Sequence, residues 1–140
     1  MNGKNDFNNF INLPSIRDSR GDLTFVEGGN HIPFEIKRVY YLYNVPVNSL
    51  RGGHAHKNLK QVVFALSGSF RITLDNGEKK VEHWLRDPTK GLYISQMQWR
   101  ELDCFSQSAV CMVLASMAYQ EEDYYRDYDE FKEALKKQKS

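Results

Sequence analysis

Phe70-Arg71-Ile72-Thr73-Leu74-Asp75-Asn76-Gly77-Glu78-Lys79-Lys80-Val81-Glu82-His83-Trp84-Leu85 is the stretch on which the fold turns. Apolar and polar side chains alternate over residues 70–74 and again over 79–85, the period of a strand with one buried face. Between them, Asn76-Gly77 supplies two residues that tolerate positive φ, as a tight hairpin requires. The same theme extends outward on both sides. Residues 61–66 are apolar and end in the turn Ser67-Gly68-Ser69, and Asp87-Pro88-Thr89-Lys90-Gly91 leads to short strands predicted at 92–94, 99–105 and 109–116.

Upstream, residues 36–45 are rich in the aromatic and branched side chains that suit strands, with Arg38, Tyr40 and Leu42 on one face and Val39, Tyr41 and Tyr43 on the other. Asp18-Ser19-Arg20-Gly21-Asp22 reads as a turn joining 10–13 to 23–27 in a hairpin. Residues 1–9 read as a loose polar arm. At the other end, Asp127 followed by Glu130 forms a capping-box pattern, and Tyr128, Phe131 and Leu135 recur at helical spacing, which predicts one helix over 127–138. Short strands separated by turns, closed by one terminal helix, predict an all-β jelly-roll barrel of antiparallel strands forming a single domain over 1–140.

Composition limits the partners. Nineteen basic residues against 18 acidic ones leave a net charge of +1, so no overall field recruits nucleic acid or a membrane surface. No apolar run approaches the roughly 18 residues of a membrane span. The start of the chain has no apolar signal core, so a cytoplasmic location is expected. Cys104 and Cys111 flank Ser106-Gln107-Ser108 and could face each other across a hairpin, but in a reducing compartment two small buried apolar side chains are the simpler expectation.

Chemistry concentrates in Arg51-Gly52-Gly53-His54-Ala55-His56-Lys57. On a strand, His54 and His56 point to the same face, where a pair of imidazoles can move protons or hold a metal. Metal-binding cupins follow such a pair with a glutamate and add a histidine from a later strand. Here Lys57-Asn58-Leu59-Lys60-Gln61 contains no carboxylate and residues 91–100 contain no histidine, so no metal and no cofactor are expected. A structural role for one or both imidazoles is the plain alternative. It is the expected reading for the isolated His31, in a polar turn, and His83, in a strand. Two acid/base groups on one face also suit moving a carbonyl between adjacent sugar carbons through an enediolate, whose charge an arginine or tyrosine can hold.

Lys37-Arg38-Val39-Tyr40-Tyr41-Leu42-Tyr43, the 51–57 stretch, Gly68-Ser69 and the run from Tyr119 to Tyr128 together resemble the nucleotide-sugar 3,4-ketoisomerases of the cupin superfamily, over roughly residues 10–131. The resemblance implies a cupin-type barrel. It also implies a metal-independent isomerase that shifts the keto group of dTDP-4-keto-6-deoxy-D-glucose from C4 to C3 for amino-deoxysugar synthesis. It places the catalytic groups at His54, His56 and Tyr40, with His54 as the C3 base and His56 as the partner in proton return. It makes Arg20, at a turn shared with related epimerases, a contact for the diphosphate or the enediolate, and implies a homodimer with exchanged N-terminal strands. Arg51 and Arg71 are further candidates for the diphosphate, and Tyr93 and Trp99 for stacking on thymine. An epimerase on the same barrel, or a cupin that binds a nucleotide sugar without turning it over, are the alternatives. The stereochemistry at C4 of the product is not legible in the sequence.

Overall fold

A computed structural model describes residues 10–139, and the polar arm expected at 1–9 lies outside them. Twelve strands are followed by one helix, α1 (Tyr128–Lys139). The first barrel sheet contains β1 (Phe10–Asn12), β4 (Arg38–Leu42), β6 (Gln61–Ser67), β9 (Lys90–Ile94) and β11 (Val110–Ala115), in the order β1-β9-β6-β11-β4. The second contains β5 (Arg51–His56), β7 (Phe70–Asp75), β8 (Lys80–Leu85), β10 (Trp99–Asp103) and β12 (Tyr124–Tyr125), in the order β12-β5-β10-β7-β8. All named strand pairs are antiparallel. β2 (Ser15–Asp18) and β3 (Gly21–Thr24) form a separate two-stranded hairpin. This is the all-β jelly roll with a C-terminal helix that the strand and turn pattern predicted.

The alternation in the sequence becomes the two faces of each sheet. Val63, Ala65, Phe70, Ile72, Leu74, Leu92, Ile94, Leu102, Cys111 and Val113 pack between the sheets as the main core, with Tyr40 and Leu42 at its edge. The outer face of the first sheet is partly covered by the N-terminal segment, where Leu13, Ile32 and Phe34 pack on Val62, Phe64 and Leu114. The outer face of the second is covered by α1, with Phe131 fully buried in one cluster with Ala55, Met97 and Trp99. Asp127 precedes the helix and accepts from the Asp129 amide at 2.9 Å, as the capping pattern required.

Two local expectations are revised. The N-terminal hairpin turns at Ser19-Arg20, but its first arm is Ser15–Asp18, because Phe10–Asn12 pairs with β9 instead. The cysteines are both free, and only Cys111 is buried; Cys104 is exposed, in a positive-φ position after β10. His31 Nδ1 accepts from the Glu27 amide and His83 packs against Phe10, so both isolated histidines take the structural roles expected of them.

Candidate active site

The site lies at one end of the space between the sheets and begins with a defect in β5. His54 pairs with Arg100 of β10, but Gly52, not Gly53, pairs with Glu101, so Gly53 is an extra residue, a β-bulge. Both glycines have positive φ, 86° at Gly52 and 73° at Gly53. A Cβ on Gly52 would lie 2.9 Å from the Arg100 carbonyl oxygen. The bulge resets the alternation, so Arg51 and His54, three residues apart, both line the same cavity.

That cavity has about 480 Å3 of free space, part of it open to solvent. Tyr40, Arg51, Gly52, His54, Gln61 and Arg100 supply its polar lining, over an apolar base that includes Leu42, Val63, Ile72 and Ile94. His54 and His56 share a face as predicted, with ring centroids 5.0 Å apart and planes at 85°. His56 sits deeper than the sequence suggests: only 1% of it is exposed, and it lies behind the lining. The Tyr124 ring covers both, 5.1 Å from His54 and 4.3 Å from His56. Arg126 lies over that ring at 4.0 Å and is itself paired with Glu121.

Each imidazole has a polar neighbour. The Gly52 backbone lies by His54 and favours its protonated form, against the larger effect of burial. His56 Nδ1 lies 3.1 Å from Asp123 Oδ2, and its Nε2 has no hydrogen-bond partner among the described residues. Burial, followed by the nearby Arg100 cation, lowers His54 to about 3 and His56 to about 2, so both are neutral imidazoles at physiological pH.

Arg100 is the group that the sequence reading missed. It is 3% exposed, its guanidinium donates to Gln61 Oε1 and to the Gln98 carbonyl at 3.2 Å, and its Nε has no partner. No ion pair to a carboxylate balances it among the described residues. Burial pulls it down to about 10, which still leaves a cation at neutral pH. Gln61 Nε2 in turn donates to the Tyr40 hydroxyl at 3.0 Å, so the Tyr40 proton is free to point elsewhere. Strand parity was the available signal: with Trp99 on one face of β10, Arg100 and Leu102 must occupy the other. Gln61 and Asp123 were missed as well. No local pattern gives Gln61 a role, and Asp123 reaches His56 from 67 residues away.

Of the residues proposed from sequence, Tyr40, Arg51 and His54 meet at the cavity, with His56 directly behind them. Three others lie outside this cavity, placed there by the same parity. Arg71 is paired with Asp103 at 2.6 Å and lies near Trp84. Tyr93 packs with Val62 and Phe64 under the N-terminal segment. Trp99 packs edge-on against Tyr128 and beside Phe131, beneath α1. Arg20 is at the exposed hairpin tip, bound to Asp18 at 2.8 Å and apart from this chain's cavity. Among the described residues, no group of three His, Cys, Asp or Glu side chains converges to hold a metal.

Comparison with known proteins gives a consistent result. The family model described as FdtA, WxcM-like, C-terminal, matches residues 6–136. The TDP-4-oxo-6-deoxy-alpha-D-glucose-3,4-oxoisomerase of Aneurinibacillus thermoaerophilus is 47% identical over 130 residues, 93% of this chain and 94% of that protein. A crystal structure of a mutant of the 3,4-ketoisomerase QdtA from Thermoanaerobacterium thermosaccharolyticum, in complex with TDP-4-keto-6-deoxyglucose, superimposes with a TM-score of 0.90 at 43% identity, covering 92% of this chain and 94% of that one. The WlaRB TDP-quinovose 3,4-ketoisomerase of Campylobacter jejuni gives 0.86 at 46% identity, covering 89% and 96%.

Proposed function

Because this chain belongs to the FdtA family, the cupin-type sugar-nucleotide 3,4-ketoisomerases, we propose that it moves the keto group of dTDP-4-keto-6-deoxy-D-glucose from C4 to C3. The observation that carries the reading is the cavity itself, where a neutral imidazole, a tyrosine hydroxyl and a buried arginine with no direct ion pair face one space. A cation kept out of water without a directly bound carboxylate is poised for negative charge arriving with the ligand or forming on it.

In the proposed mechanism, His54 removes the C3 proton, acidic because C4 carries the ketone. The electron pair of that C–H bond forms the C3–C4 double bond, and the charge moves to O4 of the enediolate. Arg100 and the Tyr40 hydroxyl hold that charge. The O3 proton passes to O4, a proton is returned to C4 with His56 as the partner in the transfer, and the electron pair left on O3 forms the C3 ketone beside a C4 hydroxyl. Atoms and electrons balance within the sugar, so the scheme calls for no cofactor. Arg51, on the open side of the cavity, is assigned to the diphosphate.

The low histidine pKa values come first from burial and then from the Arg100 cation. A bound diphosphate offsets the Arg100 contribution and raises both imidazoles from those values. We further assign a homodimer that exchanges N-terminal elements, which brings Arg20 to the neighbouring subunit's cavity. Arg71, Tyr93 and Trp99 have no role in the scheme, since each is engaged on an outward face. The chain is taken to act in the cytoplasm; among the described residues no helix is long and apolar enough to cross a membrane.

The test is incubation with dTDP-4-keto-6-deoxyglucose in deuterated water, followed by NMR of the product. The expected result is a 3-keto sugar with deuterium at C4. Inversion of a centre with the ketone still at C4 identifies an epimerase, and tight binding without exchange identifies a non-catalytic binder; either result refutes the isomerase reading.

A further inference from the structure

The 3-10 turn Glu121–Asp123 precedes β12 and carries two carboxylates used in different ways. Glu121 stays at the exposed rim on Arg126. Asp123 is turned inward and buried, 5% exposed. Its Oδ1 accepts from the Asn58 amide at 2.8 Å, and its Oδ2 accepts from the Leu59 amide at 3.2 Å and faces His56 Nδ1 at 3.1 Å. The backbone closes the same joint, since the Lys57 amide donates to the Asp123 carbonyl at 2.8 Å and β12 pairs with β5 at Tyr124 and His56. Asp123 is therefore fixed against the loop that follows the histidine strand by contacts independent of the imidazole.

A carboxylate only accepts, so His56 Nδ1 is the donor of this bond and the neutral ring carries its proton there. The lone pair is then confined to Nε2, a buried atom without a partner among the described residues, on a ring beside that of His54. We propose that Asp123 is a positioning residue that locks His56 in the Nδ1–H tautomer and so presents Nε2 as a proton acceptor behind the cavity. The catalytic consequence rests on the ketoisomerase reading; the tautomer does not. Without Asp123, the two tautomers of a neutral imidazole are no longer separated by this bond, and the proton can occupy the nitrogen that must accept one.

Asp123→Asn is the informative variant. Its side-chain oxygen can still accept from the Asn58 amide, while its NH2 group takes the place of Oδ2, giving up the Leu59 amide's acceptor and facing His56 Nδ1, which favours the tautomer with a bare Nδ1 and a protonated Nε2. Long-range 15N–1H correlation spectra of the full chain at pH 7 read the tautomer without substrate. The expected wild-type spectrum has a protonated Nδ1 and a bare Nε2 at His56, and in Asp123→Asn the assignment reverses. The expected kinetics are a kcat lowered about 100-fold or more with KM changed only a few-fold, the scale of a misplaced acid/base group.

A wild-type His56 protonated at Nε2, or at both nitrogens, overturns the proposal whether or not the variant folds. So does a variant that keeps wild-type kcat, or one that loses kcat while its tautomer is unchanged, since that loss is structural. If the wild-type spectrum is as expected but the dTDP sugar is not turned over, the tautomer lock stands and the ketoisomerase reading is what fails.

Discussion

Arg100 is the nearest cation to both histidines, buried and hydrogen-bonded to the Gln61 amide instead of directly to a carboxylate. It contributes to lowering both His54 and His56, after burial, and this makes stability depend on pH with a definite sign. The folded-state values of about 3 and about 2 lie below the unfolded 6.5, so at intermediate pH the unfolded chain binds more protons. Stability from the two neutral imidazoles is fully present above pH 6.5 and is lost as pH falls toward their folded values. Thermal melts from pH 7.5 to 4.5 should show falling stability below about pH 6.5, where carboxylates with ordinary pKa values still keep their charge. Arg100→Met raises both histidines and should make the slope shallower, whatever its effect on absolute stability. An unchanged slope would remove Arg100 from this account.

Among the elements, β5 matters most, because its bulge brings Arg51 and His54 to one cavity. The two glycines have similar φ but different surroundings: a Cβ on Gly52 meets the Arg100 carbonyl oxygen at 2.9 Å, whereas one on Gly53 meets nothing within 4 Å. Gly53→Ala should cost about 1 kcal/mol, the strain of a left-handed alanine alone. Gly52→Ala should cost more, about 2–3 kcal/mol, and should also lower activity, because relieving the contact pushes β5 away from β10 between His54 and Arg100. Urea denaturation and kcat/KM of the two variants check this; equal effects would show that the contact relaxes freely.

For the whole molecule, the chain alone leaves apolar surface that a second copy can cover. Ile16 and Leu23 face each other across the β2–β3 hairpin and are 57% and 55% exposed, while Val39 and Tyr41 are exposed on β4, an edge strand of the first sheet. Light scattering should give twice the 16.4 kDa chain mass. Ile16→Asp combined with Leu23→Asp should shift the protein toward monomer and, if Arg20 serves the neighbouring cavity, reduce turnover with it. A wild-type monomer at micromolar concentration would refute the exchanged dimer.

The sequence by itself determined the elements and their class: period-two alternation, the Asn76-Gly77 turn and the Asp127 cap act locally, so neighbouring residues suffice to read them. It also placed His54 and His56 on one face, because one intervening residue on a strand leaves no other choice. Strand parity would have placed Arg71, Tyr93 and Trp99 away from the cavity and found Arg100, but a face acquires a meaning only when the sheets close and define an inside. Tertiary structure alone decided the rest. The Gly53 bulge is a register shift between two strands, and Asp123 meets His56 only because the chain returns to β5 after the whole barrel is built. Contacts between residues far apart in the chain leave no periodic trace in either segment.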